Sequence, residues 1–258
     1  MKAVILAGGR GTRLGQLSSI KPKPMVEIGN RPIIWHIMKL YSHYGVKEFI
    51  ICAGYLGYQI KDYFINYSNN VSDVKINLNK NSIEYINKKE RLNWEISIID
   101  TGQETMTGGR LLKIKEFLDD NTPFFMTYGD GLADINLSKL LDFHKKSKKL
   151  VTMTAVYPPP RFGSLVIENN LVTKFSEKNI GDVGRINGGF FVCEKQALKY
   201  INNKNQPWES LPLVNLSSSR ELSAFLHNGF WQPMDTLRER DELEKLWKTN
   251  SAPWKVWV

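Results

Sequence analysis

The feature that most constrains the fold is a short apolar segment at the start of the chain that ends in glycines. Residues 2–7 read Lys-Ala-Val-Ile-Leu-Ala, and Gly8, Gly9 and Gly11 follow. A continuous apolar run of this length indicates a strand covered on both faces of a parallel sheet. The glycines let backbone N–H groups approach a phosphate chain, because a Cβ there would hold the phosphate away. The sequence therefore predicts a buried strand that leads into a phosphate-binding turn.

Strand-like and helical segments then alternate as far as residue 149. Further strands are expected at 46–53, 96–100 and 124–128, and helices at 33–44, 55–67, 109–118 and 137–146. This alternation favours an α/β fold with a doubly wound, mixed but mainly parallel sheet, whose ligands bind beyond the carboxyl ends of the strands.

Beyond residue 149 the pattern changes. Short strand-like runs at 151–157, 164–168, 171–176 and 186–193 predict a small antiparallel part, and 236–247 predicts a carboxyl-terminal helical extension. The stretch 66–81 holds six Asn residues and is expected to be a mobile loop or an inserted hairpin.

Composition places the chain among ordinary globular proteins. It has 258 residues, of which 42% are hydrophobic and 24% charged, values that exclude general disorder, a collagen-like repeat and a coiled coil. No apolar stretch approaches the roughly 18 residues of a spanning helix, and the opening apolar run is too short for a signal peptide. We therefore expect a cytoplasmic protein without a membrane partner. Cys52 and Cys193 lie in apolar runs and are expected to be buried thiols, although their pairing stays open.

The net charge of +9 suits a polyanionic partner such as nucleic acid, anionic lipid or a phosphorylated metabolite. The basic residues are scattered, and the clusters at 88–89 and 145–149 lack interleaved aromatic residues or a nucleic-acid-binding motif. We expect no nucleic-acid partner.

Two cationic positions follow the glycines. Arg13 supplies a rigid fork of donors, and Lys23 stands between Pro22 and Pro24, which fix the backbone beside it. The spacing is that of neither the P-loop nor the dinucleotide fingerprint. A glycine-rich loop alone is equally an ordinary turn, but a glycine loop with two cations after a strand indicates a polyphosphate site.

Two aspartates are candidate metal ligands. Asp130 follows a predicted strand between Gly129 and Gly131, and Asp235 precedes the predicted final helix. Mg²⁺ commonly takes one or two carboxylates, with waters and phosphate oxygens completing its octahedron. The alternatives are an ordinary Gly-Asp-Gly turn for Asp130 and a helix N-cap before Thr236 for Asp235.

The segment Thr107-Gly108-Gly109-Arg110 opens a predicted helix. Its free N–H groups and the arginine are suited either to a nucleotide base or to a triphosphate, and the alternative is an ordinary glycine turn. The histidines show no metal-ligand spacing and no adjacent nucleophile.

The words L-A-G-G-x-G-T-R-L and K-P-K-P-M resemble the nucleotidyltransferases that join a sugar 1-phosphate to a nucleoside triphosphate. Within them, the chain resembles most closely the branch that uses CTP and glucose 1-phosphate. Further shared words lie at 35–39, 54–55, 57–58, 100–102, 106–111, 128–131, 161–163, 186–191, 230–238 and 252–255.

The resemblance implies a Rossmann-like fold and a Mg²⁺-dependent transfer from CTP to α-D-glucose 1-phosphate that yields CDP-glucose and pyrophosphate. It implies a homo-oligomer, with a hexamer as one form. We predict a single domain over 1–258, with a nucleotide-binding half at 1–149, a sugar-phosphate-binding half at 150–235 and an extension at 236–258.

Three alternatives stay open. The same chemistry could use another nucleotide, such as UTP or dTTP, or another phosphorylated acceptor. A glycosyltransferase would use a similar sheet and a single metal-binding Asp. A non-catalytic sensor of sugar nucleotides or a basic nucleic-acid-binding module belongs to a different class.

The resemblance also implies roles for individual residues. Arg13, Lys23 and Asp130 are the expected catalytic residues, and Asp130 and Asp235 the expected metal ligands. The nucleotide-binding set is Leu6, Gly8, Gly9, Gly11, Thr12, Arg13, Lys23, Thr107, Gly108, Gly109, Arg110 and Asp130. The sugar-phosphate-binding set is Tyr128, Gly163, Glu177, Lys178 and Asn187. The chain departs from the family at Asn179, where Pro is usual, and at Leu211, which replaces a carboxylate in W-E-x-E-P-L.

Overall fold

The computed structural model describes residues 1–15, 17–86, 92–159, 164–168, 171–176 and 184–257. The strands are β1 (Lys2–Leu6), β2 (Glu27–Ile28), β3 (Arg31–Pro32), β4 (Glu48–Ala53), β5 (Asp73–Asn77), β6 (Ser82–Ile86), β7 (Glu95–Asp100), β8 (Phe124–Tyr128), β9 (Gly131–Ala133), β10 (Val151–Val156), β11 (Ser164–Glu168), β12 (Leu171–Ser176), β13 (Ile186–Cys193), β14 (Leu222–Leu226) and β15 (Trp231–Pro233). The helices are α1 (Leu17–Ile20), α2 (Ile33–His43), α3 (Gly57–Ile65), α4 (Tyr67–Val71), α5 (Thr107–Lys113), α6 (Leu137–Ser147), α7 (Leu211–Ser218) and α8 (Leu237–Lys248).

Seven of the described strands form the central sheet, in the order β14-β10-β13-β8-β1-β4-β7. The pairs β8–β1, β1–β4, β4–β7 and β10–β14 are parallel, whereas β13 runs antiparallel to both β8 and β10. The predicted mixed, mainly parallel α/β sheet is confirmed.

The two faces of the sheet are both covered, because alternate residues of β1 enter different cores. Ala3 and Ile5 pack with α2, α6 and α8, whereas Val4 and Leu6 pack with α5 and α7. This burial on both faces explains why β1 is a continuous apolar run.

The thiols of Cys52 and Cys193 are free and buried, and burial raises the pKa of Cys52 to about 12.

Several predicted elements have different boundaries. The helix expected at 55–67 is two helices, because the side-chain amide of Asn66 donates to Asp62 O (3.0 Å) at the end of α3. The helix expected at 109–118 begins earlier, at Thr107, and ends at Lys113 in a 3-10 turn. The Asn-rich stretch leads into the hairpin β5–β6, so the predicted inserted hairpin is confirmed. Strands β11 and β12 pair only with each other among the described residues.

The carboxyl-terminal extension packs against α2 around a buried histidine. His36 is fully buried, and its Nε2 donates to Ile28 O (2.8 Å) while Trp254 Nε1 donates to its Nδ1 (3.4 Å). The rings of Trp247 and Trp254 meet that imidazole edge to face, at 4.6 and 6.2 Å between centroids. Gly29 makes this docking possible, because a Cβ there would overlap the Trp247 indole.

No helix in the described parts of the chain combines the length and the apolar character that crossing a bilayer requires.

Protonation of His36 is expected to weaken the fold in mild acid. Burial lowers the pKa of His36 from 6.5 to about 4, so between these values the unfolded chain binds a proton that the folded chain does not. The free energy of unfolding should therefore fall by about 3 kcal/mol as the pH drops through this window. Urea unfolding of the wild type and His36→Gln at about pH 7.5 and about pH 4.5 measures the difference.

His43→Gln, at an exposed position of the same helix, is the matched control. Equal pH dependence in the wild type and His36→Gln would contradict the prediction.

Candidate active site

A cavity of about 320 Å³ opens beyond the carboxyl ends of β1 and β8, where an open parallel sheet binds its ligands. It is lined by residues 6–9 and 11–13 after β1, by Lys23 and Pro24, by 105–107 with Arg110, and by 128–130 after β8. Ten of the twelve predicted nucleotide-binding residues border this cavity; Gly108 and Gly109 do not.

The three glycines after β1 serve different purposes. Gly9 faces open space, Gly11 has a φ of +62° that favours glycine, and a Cβ on Gly8 would overlap the guanidinium of Arg110. At Gly9, the prediction that the missing Cβ lets a phosphate approach the backbone therefore stays a prediction. At Gly8 the structure shows a second reason, which is room for an arginine.

Arg110 is buried behind this loop, with 3% of its surface exposed. Its guanidinium donates to Gly8 O (2.9 Å), Gly102 O (2.8 Å), Ala53 O (3.2 Å) and Thr101 Oγ1 (2.6 Å). These acceptors lie at the end of β4 and just after β1 and β7, so one side chain joins three strand ends. Arg110 therefore holds the loop in place from behind, and its predicted contact with the nucleotide stays a prediction.

The glycines at the start of α5 pack against a neighbouring loop. The N–H of Gly108 donates to Gln206 O (3.1 Å), and a Cβ on Gly109 would overlap the backbone of Lys204. The prediction that Gly108 offers a free N–H to a ligand is wrong, because that N–H is already bonded. Thr107, the first residue of the helix, does border the cavity.

A cluster of opposite charges lies at one end of the cavity. Lys23 Nζ is 2.5 Å from Asp130 Oδ2 and 2.6 Å from Asp235 Oδ1, and Arg13 Nη1 is 2.8 Å from Asp235 Oδ2. Burial alone would lower the pKa of Lys23, but the two carboxylates outweigh it and raise that pKa, so the ammonium stays charged. The structure thus brings together the two cations that follow the first glycines and the two candidate metal ligands.

Backbone pairing places the two aspartates side by side. β15 runs antiparallel to β9, with Pro233 opposite Gly131, and the N–H of Met234 donates to Asp130 O (2.8 Å). Because Asp130 directly precedes β9 and Asp235 stands two residues after β15, their side chains can reach the same ammonium.

Thr236, not Asp235, caps α8. Its hydroxyl accepts from the N–H of Glu239 (3.3 Å), while Glu239 Oε2 accepts from the N–H groups of Thr236 (2.9 Å) and Asp235 (2.7 Å). The alternative of Asp235 as the N-cap is therefore wrong. This capping box leaves the Asp235 carboxylate free for Lys23 and Arg13.

The donor set fits a hard cation such as Mg²⁺. Two carboxylates share one ammonium, so their oxygens are close enough to share a metal ion instead. The described residues contain no group of three or more His, Cys, Asp or Glu side chains suited to a metal. A cation held by Asp130 and Asp235 would thus complete its shell with water and phosphate oxygens, as Mg²⁺ commonly does.

The predicted sugar-phosphate side is partly described. Tyr128 lines the cavity, and Asn187 Nδ2 donates to its hydroxyl (3.3 Å). Gly163, Glu177 and Lys178 lie outside the described residues, as does Asn179. Leu211, the other departure from the family, is 56% exposed and does not line the cavity.

Glu209 is a site residue to which sequence reasoning gave no role. It accepts hydrogen bonds from Tyr128 and Thr107, which both border the cavity. Its place in the word Trp208-Glu209 was the available signal.

Comparison with known proteins places this site in a family. Residues 2–232 match the family described as Nucleotidyl transferase. The chain belongs to this family. It is 51% identical over 257 residues to the glucose-1-phosphate cytidylyltransferase of Salmonella typhi, with all of both chains covered. It is 41% identical over 258 residues to the probable glucose-1-phosphate cytidylyltransferase of Bacillus subtilis strain 168, again over the full length of both.

Solved structures agree on the fold. HddC from Yersinia pseudotuberculosis superposes with a TM-score of 0.68 at 22% identity, covering 95% of this chain and 99% of that one. A UDP-glucose pyrophosphorylase complexed with UDP-glucose gives 0.67 at 15% identity, covering 96% and 98%. At these identities the likeness concerns the fold alone.

Shortening Arg110 should loosen the glycine loop that follows β1. In Arg110→Lys one ammonium replaces a fork that donates to several buried acceptors, so most of these hydrogen bonds are lost. We expect the free energy of unfolding to fall by about 2 kcal/mol or more. Urea unfolding measures this effect.

Lys113→Met, which alters an exposed residue of the same helix, is the control and should change stability by no more than about 0.5 kcal/mol. Wild-type stability in Arg110→Lys would show that the guanidinium does not hold the loop.

Proposed function

We propose that this protein transfers a cytidylyl group from CTP to α-D-glucose 1-phosphate, giving CDP-glucose and pyrophosphate with the help of Mg²⁺. The observation that carries the proposal is the 51% identity, over the full length of both chains, with a glucose-1-phosphate cytidylyltransferase. The meeting of Lys23, Arg13, Asp130 and Asp235 at the strand ends supports it independently.

The reaction is a substitution at phosphorus. A phosphate oxygen of glucose 1-phosphate attacks the α-phosphorus of CTP in line and forms the new P–O bond. The bond from the α-phosphorus to the oxygen that bridges it to the β-phosphate breaks, and pyrophosphate leaves with that electron pair. No covalent enzyme intermediate is required, because the attacking oxygen is already anionic.

The residues of the cavity are arranged to position and neutralise charge, which is the main contribution a protein can make to such a transfer. The loop of Gly8, Gly9 and Gly11 receives the phosphates, and the exposed guanidinium of Arg13 binds the β- and γ-phosphates. Lys23 neutralises charge at the α-phosphate. When bound by Asp130 and Asp235, Mg²⁺ supplies Lewis-acid stabilisation of the phosphoryl oxygens.

Two of the described residues are proposed to bind the acceptor, glucose 1-phosphate. Tyr128 and Asn187 contribute hydroxyl and amide groups there, and Lys178, Glu177 and Gly163 are proposed to complete the site. We further propose that the protein is a cytoplasmic homo-oligomer that acts on these small molecules and has no nucleic-acid partner.

Product identification tests the substrates. We expect CDP-glucose and pyrophosphate, identified by mass, when the protein is incubated with mixed nucleoside triphosphates, glucose 1-phosphate and Mg²⁺. A UDP- or dTDP-sugar as the product would show that the proposed nucleotide is wrong. A product formed from another sugar phosphate, but not from glucose 1-phosphate, would show that the proposed acceptor is wrong. Release of free nucleotide would indicate a glycosyltransferase.

Substitution of the central lysine tests the site. Lys23→Ala should lower kcat by about 10²-fold or more, because charge that develops at the α-phosphate loses its cation. Lys21→Ala is the matched control, since Lys21 belongs to the same Lys-Pro-Lys-Pro word but pairs with Glu27 at the surface. Near-normal turnover in Lys23→Ala would contradict this role.

The two acids are expected to bind the metal. Asp130→Asn and Asp235→Asn should each weaken Mn²⁺ binding, measured by electron paramagnetic resonance, by about tenfold or more, because each removes an anionic ligand. Glu242→Gln, on the exposed side of α8, should leave it unchanged. Unaltered Mn²⁺ affinity in both aspartate variants would place the metal elsewhere.

A further inference from the structure

One exposed carboxylate that the proposed reaction has not used lies outside the cavity lining and binds two residues of that lining. Tyr128 Oη donates to Glu209 Oε1 (2.5 Å), and Thr107 Oγ1 donates to Glu209 Oε2 (2.6 Å). Both donors line the cavity, Tyr128 at the end of β8 and Thr107 at the start of α5. A single side chain therefore ties together two parts of the cavity wall.

The bridge continues on both sides. Asn187 Nδ2 donates to Tyr128 Oη (3.3 Å), and the N–H of Trp208 donates to Thr107 Oγ1 (2.8 Å). Each hydroxyl thus accepts one hydrogen bond and donates another to Glu209. This arrangement fixes the direction of both O–H bonds. The bridge runs from β13, through Tyr128 and Glu209, to α5.

The charge of Glu209 suits this task. Hydrogen bonds to an ionised acceptor are shorter and stronger than those between neutral groups, and a carboxylate can accept both protons at once. Trp208, which is fully buried, anchors the backbone just before Glu209.

We infer that Glu209 is a positioning residue for the transfer reaction, holding Tyr128 and Thr107 at a fixed separation across the cavity wall. The inference rests on the proposed function, in which Tyr128 lies on the sugar-phosphate side and Thr107 on the nucleotide side. Two phosphoryl groups must meet in line, and a displacement of about 1 Å in such a reaction can cost about 10²-fold in rate. Glu209 itself does not line the cavity.

Glu209→Gln tests the inference with almost no change in size. An amide offers one acceptor oxygen, so one of the two hydroxyls faces an NH₂ donor and can no longer donate to residue 209. We expect kcat to fall by about tenfold or more, with KM for each substrate changed less than about threefold. Because Glu209 is exposed, the melting temperature should shift by no more than about 3 °C. Glu116→Gln, an exposed glutamate after α5, is the control and should leave kcat unchanged.

A double-mutant cycle identifies the path of the effect. Tyr128→Phe removes one of the two donors, and in a Glu209→Gln background it should cost clearly less than it does alone, because the bond is already disturbed. The inference is overturned if kcat of Glu209→Gln stays within about twofold of the wild type. It is also overturned if the two effects simply multiply, or if kcat falls only together with a large loss of melting temperature.

The two proposals fail in distinguishable ways. The mass of the wild-type product tests the proposed function, whichever residue is varied. The ratio of variant to wild-type turnover tests Glu209, and it is measured with whichever nucleoside triphosphate and sugar phosphate the wild type consumes. If the wild type forms a different product but turns over about tenfold faster than Glu209→Gln, the proposed substrates are wrong and the positioning role of Glu209 is supported.

Discussion

A buried ammonium shared by two carboxylates is the interaction on which the rest of the candidate site depends. Lys23, Asp130 and Asp235 are far apart in the chain, and each reaches the cluster through a different device. Prolines fix Lys23, the end of β8 delivers Asp130, and the β9–β15 ribbon with the capping box of α8 delivers Asp235. Like charges crowded at one point would repel, so the lysine between them keeps the acids together.

The carboxyl-terminal extension is part of this arrangement. α8 begins at the capping box beside Asp235, and its far end carries Trp247, which covers Gly29 and contacts His36. Packing at one end of this helix and capping at the other determine where the second aspartate stands. A contact around a core histidine and the geometry of a charged cluster are therefore linked through one rigid helix.

Much of the fold could be predicted from the sequence, because burial on both faces leaves a continuous apolar run such as β1 and a glycine marks its end. The members of the charged cluster could be predicted from their positions beside glycines and prolines and from the resemblance to a known family. Strand β14 was not, since its residues are half exposed at the sheet edge and show no continuous apolar run. The spacing of Thr236 and Glu239 in the sequence is compatible with a capping box. Only the structure decides between that capping box and a cap at Asp235.

The direction of side chains was the least predictable property. Glycines at a helix start indicate equally a ligand site or close packing against another segment, and at Gly108 and Gly109 packing is what the structure shows. An arginine beside such glycines looks like a phosphate ligand, yet Arg110 turns back toward carbonyl groups of three strand ends. Such choices depend largely on contacts between residues that are distant in the chain, such as Arg110 and Gly8, which local patterns do not encode.

The packing of Arg110 also constrains how this protein can diverge. A Cβ at either Gly8 or Gly54 would overlap the guanidinium, so neither glycine can be replaced while the arginine remains. Loss of the arginine, in turn, removes a hydrogen bond from Gly8 O and another from Ala53 O, next to Gly54. In related sequences these three positions should therefore be inherited together, and a change at one of them should mark a lineage that has rebuilt the support of its loop.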